Sequence, residues 1–370
     1  MQVMNHAAPT VDDFRPIELS GLREAPLVSV LMANYNYAEY LGQAIESVIG
    51  QTYPVWELVI CDDGSTDGSA SIIEHFASRD SRIRMLRKPN GGHTSALNAS
   101  YAVSRGDVVC LLDSDDLCLP SKIEQVIKCF RSHPKSGLVV HRVIRINRKG
   151  QKQGMWPLMA SLPHGWCAPE MLANGGILNY LPPTSGLSLR REVGEYIFPI
   201  PAERPLYDAP DQVIMRLAPL LTTITSIDEP LSEYRLHGRN SYETARVSVA
   251  SVTKELVVSE QLWKIQKNFL LRMWPSVVSE LGSFEKSSSA LFLRYLGAKL
   301  SNDPAARRYH RDYVAGLLSQ PRAKFAWLWV ASVYLPQFLF EAVANLLLRQ
   351  NFLKQVVGCL TDWFRSGRRR

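Results

Sequence analysis

No Cys-x-x-Cys pair, no G-x-G-x-x-G turn and no G-x-x-x-x-G-K-[ST] loop occurs in the 370-residue chain. The last two absences set aside the usual dinucleotide-binding turn and the P-loop NTPases. The six cysteines, Cys61, Cys110, Cys118, Cys129, Cys167 and Cys359, are scattered mostly through apolar runs, without a Cys/His cluster. They read as buried thiols of a reducing cytoplasm. No internal repeat or low-complexity tract is present. Residues 1–25 lack a basic segment followed by an apolar one, so they read as a loose leader and not a secretory signal. The apolar stretch 325–348 has the length of a membrane span, but Pro336, Gln337, Glu341 and Asn345 interrupt it. A packed helix pair or an interfacial amphipathic segment is the expectation there. Trp327, Trp329, Trp363 and the terminal "RSGRRR" suggest peripheral membrane contact, and a solvated basic tail is the plainer alternative.

What is present is a regular alternation. The chain is 46% hydrophobic with a net charge of +7, enough apolar matter for a large core and a balance that suits an anionic partner. "LVSVLMA" is a β-branched run, and the next segment carries Leu41, Ile45, Val48 and Ile49 at helical spacing. "WELVICDDGSTD", "IRMLRKPNGG" and "DVVCLLDSDD" end three further strands, each followed by a helical pattern. Ser65 or Asp67 stands ready to cap the second helix. Buried, non-alternating strands separated by helices predict a mostly parallel α/β sheet covered on both faces. From 137 the alternation breaks; "GLVVHRVIRIN" and the Pro/Gly-punctuated stretch 154–186 look like a subregion added over the sheet, and 245–370 is helical in pattern.

In such sheets ligands bind beyond the carboxyl ends of the strands. There the chain places "ANYNYAEYL", "DDGSTDGS", "NGGHTSALN" and "DSDD". Carboxylates repel phosphate unless a divalent cation lies between them. Asp113, Asp115 and Asp116 therefore suggest a hard-cation site with open positions for a diphosphate. A turn with Asp116 or Ser114 capping the next helix is the ordinary alternative.

These spaced motifs, from "VSVLMANYNYAEYL" through "CDDGSTDGS" and "NGGHTSALN" to "LLDSDD", resemble the GT-A domain of family 2 glycosyltransferases over roughly residues 26–240. The resemblance implies a Rossmann-like GT-A fold for that stretch, and the helical region read from the pattern at 245–370 follows it. It implies nucleotide-sugar contacts at Ala33, Asn34, Tyr35, Asp62, Asp63 and Asp113, with Asp63 accepting from the base. Asp115 would bind Mg2+ or Mn2+, joined by His237 of "EYRLHG", although a lone surface histidine is as ordinary a reading of His237. The general base would come from "LYDAPDQVIMRLAP", where Pro210 replaces the usual Glu, leaving Asp211 first and Asp208 second. An N-terminal helix acid that merely complements the dipole is the alternative for Asp211.

The implied reaction is inverting transfer of a sugar from a nucleotide donor, with a UDP-sugar expected, to a glycan or lipid-linked acceptor in cell-surface polysaccharide synthesis. Thr184 and Ser185 are candidates for the acceptor side. No Q-x-x-R-W motif is present, which favours addition of one sugar per encounter over polymerisation. The expected setting is the cytoplasm, peripheral to the inner membrane face, with no nucleic-acid partner. Two rivals stay open: a nucleotidyltransferase, although "MANYNYAEYL" has no Lys, Arg or Gly before Gly42, and a nucleotide-sugar-binding scaffold without turnover.

Overall fold

The computed structural model describes residues 14–157, 161–178, 182–240 and 247–318, with isolated positions between 335 and 344. Two compact units emerge, one from 16–168 and 179–240, the other from 1–15, 169–178 and 241–370.

The first unit is built on one sheet. Its strands are β1 (Val28–Asn34), β2 (Trp56–Asp62), β3 (Ile83–Arg87), β4 (Val108–Leu111), β5 (Leu117–Cys118), β6 (Ser136–Asn147), β7 (Lys152–Trp156), β8 (Leu187–Arg190) and β9 (Thr223–Leu236). The sheet order is β3-β2-β1-β4-β8-β6-β9-β5, with β7 paired to β6. β1, β2, β3 and β4 are mutually parallel; β1, β2 and β4 are buried almost throughout, as strands covered on both faces are, while the edge strand β3, with Arg84 and Arg87, is only partly covered. The cover includes α1 (Ala38–Ile49), α2 (Ser69–Ala77), α3 (His93–Val103) and α4 (Lys122–Ser132). Val30, Met32, Leu58, Ile60 and Cys110 from the strands pack with Leu41, Ile45, Ile73 and Val126 from the helices.

The chain runs from β1 outward to β2 and β3, then crosses back to β4 on the other side of β1. In open α/β sheets ligands bind at such a reversal, which here falls at the carboxyl ends of β1 and β4.

Two expectations are corrected here. β6 is not laid over the sheet but runs within it, antiparallel to β8 and parallel to β9. It lost the strand-helix rhythm because its neighbours come from residues 187 and beyond. The second helix begins after Gly68 with no side-chain cap: the Ser65 hydroxyl is bonded to Asn34 and Asn36, and Asp67 accepts from the Ala38 and Ser69 amides. After β7 the chain continues through α5 (Ala168–Ala173), then α6 (Arg191–Ile197) and α7 (Pro210–Leu221).

The second unit contains α8 (Val249–Met273), α9 (Ser288–Leu300) and α10 (Ala306–Leu318). A Ser248/Ser251 capping box starts α8. Among the described residues no helix is long and apolar enough to cross a membrane, and most of the 325–348 segment lies outside them.

Candidate active site

The ends of β1, β2 and β3 are locked by hydrogen bonds. Asn34 lies opposite Asp62 in register, and its amide donates to Asp62 Oδ1 at 3.0 Å and to Ser65 Oγ at 3.1 Å. Asp62 Oδ2 accepts from the Ser65 amide and stands 3.5 Å from Arg87. Asp63 is buried, pairs with Lys88, and accepts from the Gly91 and Gly92 amides at 3.0 and 2.7 Å. Gly92 has φ +88°, and an added Cβ would lie 2.5 Å from the Tyr207 ring, so only glycine fits this approach. Ala33 is half-buried, and Tyr35 stands exposed beside them.

At the end of β4, Asp113, Asp115 and Asp116 each offer an oxygen, all within 4.8 Å of one another. They converge because β5, immediately downstream, pairs with Ser232 and Glu233 of β9. That pairing brings Arg235 and His237 against the acidic loop. Asp116 is not the cap of α4; Ser121 precedes that helix. Its fully buried carboxylate accepts from Ser185 Oγ at 2.6 Å and from the Arg235 amide at 2.8 Å. Ser185 is likewise no acceptor-side residue, being fully buried with its hydroxyl on Asp116 and the Asp113 amide, and Thr184 beside it is buried too.

His237 meets Asp115 directly: Nε2 lies 2.6 Å from Oδ2. The Arg239 amide donates to His237 Nδ1 at 3.2 Å, which assigns the proton to Nε2 and makes the ring a donor to Asp115. Tyr40 stacks on the imidazole with centroids 5.2 Å apart, and Tyr37 meets its edge at 5.5 Å. In this arrangement His237 orients Asp115; ligating a cation itself would require Nε2 to give up that proton.

The charge of the cluster is under-compensated. Burial raises the Asp115 carboxyl above its ordinary range, and the charge of Asp113 adds to that. Asp116 is pushed up further, by burial and then by Asp115 and Asp113. Two buried cations lie close by, but both bond to neutral acceptors. Lys122 donates to the Leu111 and Ser185 carbonyls at 3.1 and 2.9 Å, and Arg235 to the Asp115 carbonyl and Gln43 at 2.8 and 2.9 Å. An all-oxygen set with surplus negative charge fits a hard divalent cation. Asp113 and Asp115 would hold it, since both oxygens of Asp116 are engaged. Lys122 and Gln43 were not singled out in the sequence, because each reads as a routine helix-surface residue.

Asp211 sits in the first turn of α7 with Oδ1 accepting from the Gln212 amide at 2.9 Å. Burial, reinforced by Asp113 and opposed by His93, lifts its carboxyl to about 6. His93 Nε2 lies 3.3 Å from Asp113 Oδ1. Burial alone would depress the imidazole, but the hydrogen bond and charge of Asp113, with Asp211 and Asp208 behind, raise it. Asp208 is exposed. The loop carrying it is tied to α3 by Thr94, whose amide and hydroxyl donate to the Tyr207 and Leu206 carbonyls. A carboxyl that titrates near neutrality beside an acidic cluster is suited to deprotonating a hydroxyl.

The chain is similar to known glycosyltransferases. The model of the family "Glycosyl transferase family 2" matches residues 29–184. A protein of Nostoc sp. described as an uncharacterized glycosyltransferase is 33% identical over 247 residues, covering 63% of this chain and 71% of that one. Hyaluronan synthase of Pasteurella multocida is 39% identical over 115 residues, which is 31% of this chain but only 12% of the synthase. Among solved structures, S. aureus TarS 1–349 in complex with UDP-GlcNAc covers 82% of this chain and 91% of its own, at 16% identity and TM-score 0.49. A mannosyltransferase from Pyrobaculum calidifontis in complex with GDP-Man and Mn2+ covers 90% of each chain at 16% identity and TM-score 0.47.

Proposed function

Because the chain belongs to glycosyl transferase family 2, we propose that it transfers one sugar at a time, with inversion, from a nucleotide-sugar to a hydroxyl of a glycan or lipid-linked acceptor. The observation that carries this reading is the group of three carboxylates at the switch point, their oxygens within 4.8 Å of one another. A UDP-sugar is the expected donor. Its base and ribose would lie against Ala33, Asn34, Tyr35, Asp62 and Asp63, and Asp113 would meet the ribose or a cation-bound water.

Asp211 accepts the proton of the acceptor hydroxyl. The hydroxyl oxygen then bonds to the anomeric carbon from the face opposite the diphosphate. The bond from that carbon to the phosphate oxygen breaks, and its electron pair leaves with the nucleoside diphosphate. Mg2+ or Mn2+ held by Asp113 and Asp115 would offset charge on this leaving group. His237 holds Asp115 in orientation, and the fixed Asp116 keeps the acidic loop in place. Asp208, exposed on the neighbouring loop, is the second candidate for the base.

The proposed setting is the cytoplasm at the inner membrane face, in polysaccharide assembly, with residues 325–348 supplying peripheral contact. A panel of UDP-, GDP- and dTDP-sugars with Mn2+ and acceptor extract tests the reaction. Release of a nucleoside diphosphate from one donor, dependent on acceptor, is expected. Stabilisation by a donor with no release under any condition would replace the enzyme reading with the scaffold.

A further inference from the structure

Three charged side chains meet on the flank of the acid cluster. Glu39, in the first turn of α1, directs one carboxylate oxygen at two guanidinium groups, Arg239 at 3.4 Å and Arg148 at 3.8 Å. Arg148 leaves the turn between β6 and β7; its Nε lies 3.4 Å from the Tyr40 hydroxyl, and its carbonyl accepts from Arg235. Arg239 follows His237, and its guanidinium lies 5.6 Å from the Tyr37 ring centroid. Tyr37 connects this group to the cluster. Its ring centroid lies 5.5 Å from that of His237, whose Nε2 meets Asp115, so one side chain lies against both the arginine and the partner of the acids.

The cations already placed at the site are committed elsewhere. Lys88 pairs with Asp63, while Lys122 and Arg235 are buried on carbonyl and amide oxygens. Arg239 and Arg148 are instead 54% and 60% exposed. Their link to Glu39 is an exposed ion pair, worth little and easily exchanged, and one carboxylate oxygen serves both. A guanidinium fork matches adjacent oxygens of a phosphate and bonds them more strongly than a solvated carboxylate at these separations.

We propose that Arg239, assisted by Arg148, binds the diphosphate of the donor: the guanidinium groups exchange Glu39 for nonbridging phosphate oxygens and stay with the nucleoside diphosphate as it leaves. Glu39 is the competing anion that holds both arginines at the rim. This rests on the nucleotide-sugar reading of the site. It goes further by assigning the leaving group two contacts of its own from α1-flanking loops.

The test is calorimetric titration of the full chain with UDP, GDP and dTDP at fixed Mn2+, and with the matching nucleoside, for wild type, Arg239→Ala, Arg148→Ala and Glu39→Gln. Whichever diphosphate binds wild type should bind Arg239→Ala roughly tenfold to a hundredfold more weakly, the usual loss for a hydrogen bond to a charged group. Arg148→Ala should lose less, and Glu39→Gln should bind more tightly. Nucleoside affinity should be the same in all four proteins. Equal diphosphate affinity in wild type and Arg239→Ala, an equal loss for the nucleoside, or no gain in Glu39→Gln would overturn the exchange. If wild type binds none of the three diphosphates, the nucleotide-sugar reading itself fails, an outcome distinct from failure of the clamp.

Discussion

The sheet has two acidic strand ends, and they are neutralised in different ways. At β2, Asp62 and Asp63 meet side-chain and backbone N–H groups together with Arg87 and Lys88. At β4, Asp113, Asp115 and Asp116 crowd within 4.8 Å, and the nearest buried cations, Lys122 and Arg235, spend their hydrogen bonds on neutral acceptors. Both sites are acidic, yet only the second has charge left for a metal. The first is charge-balanced within the fold, whereas the second carries repulsion that a bound cation would relieve.

Substitutions should separate the two ends. Asp115→Asn is expected to abolish cation-dependent nucleotide binding. In metal-free buffer it should also raise the melting temperature, by roughly 2–4 °C for each kcal/mol of repulsion relieved. The sign follows from the carboxyl being raised in the folded state: its ionised form costs stability above the unfolded value, and the neutral amide removes that cost. Differential scanning calorimetry with and without Mn2+ checks both effects.

Asp211→Asn should spare nucleotide affinity and lower kcat by about 10² to 10⁴, as loss of a general base does. In wild type, kcat/KM should rise with pH through a limb at or below about 6, because the carboxylate is the active form and a cation near Asp113 would offset the charge that raises it. That limb should be missing in Asp211→Asn; its persistence would move the base to Asp208 or elsewhere.

His237→Ala should weaken Mn2+ binding about 10- to 100-fold by releasing Asp115, the cost of losing a group that orients a ligand. Asp62→Ala is the converse of the β4 substitution. It should destabilise by about 1–3 kcal/mol, since the Asn34 and Ser65 donors lose a buried acceptor. Mn2+ affinity without nucleotide should not change, as isothermal titration would show.

The strand-helix rhythm and the acids at strand ends are local features, and they are plain in the sequence as far as Asp116. What could not be read there depends on distant partners. Asp116 looks like a cap until Ser185 and Arg235, 69 and 119 residues downstream, supply its hydrogen bonds. Ser185 looks like a ligand contact until its burial beneath the acidic loop is seen. β6 has the composition of a strand but no rhythm that assigns its neighbours, because β8 and β9 begin 40 or more positions after its end, β6 ending at Asn147 and β8 beginning at Leu187. His237 was legible as a neighbour of the β4 acids. Its proton, placed on Nε2 by the Arg239 amide, was not.

The most direct measurement is the affinity of Mn2+ for wild type and Asp115→Asn by isothermal titration, with UDP, GDP and dTDP each added in turn. Wild type should bind Mn2+, and one nucleotide should bind only when the cation is present; Asp115→Asn should lose both. Nucleotide binding of equal strength in the two proteins, indifferent to the cation, would contradict the assignment of the β4 acids as a metal site.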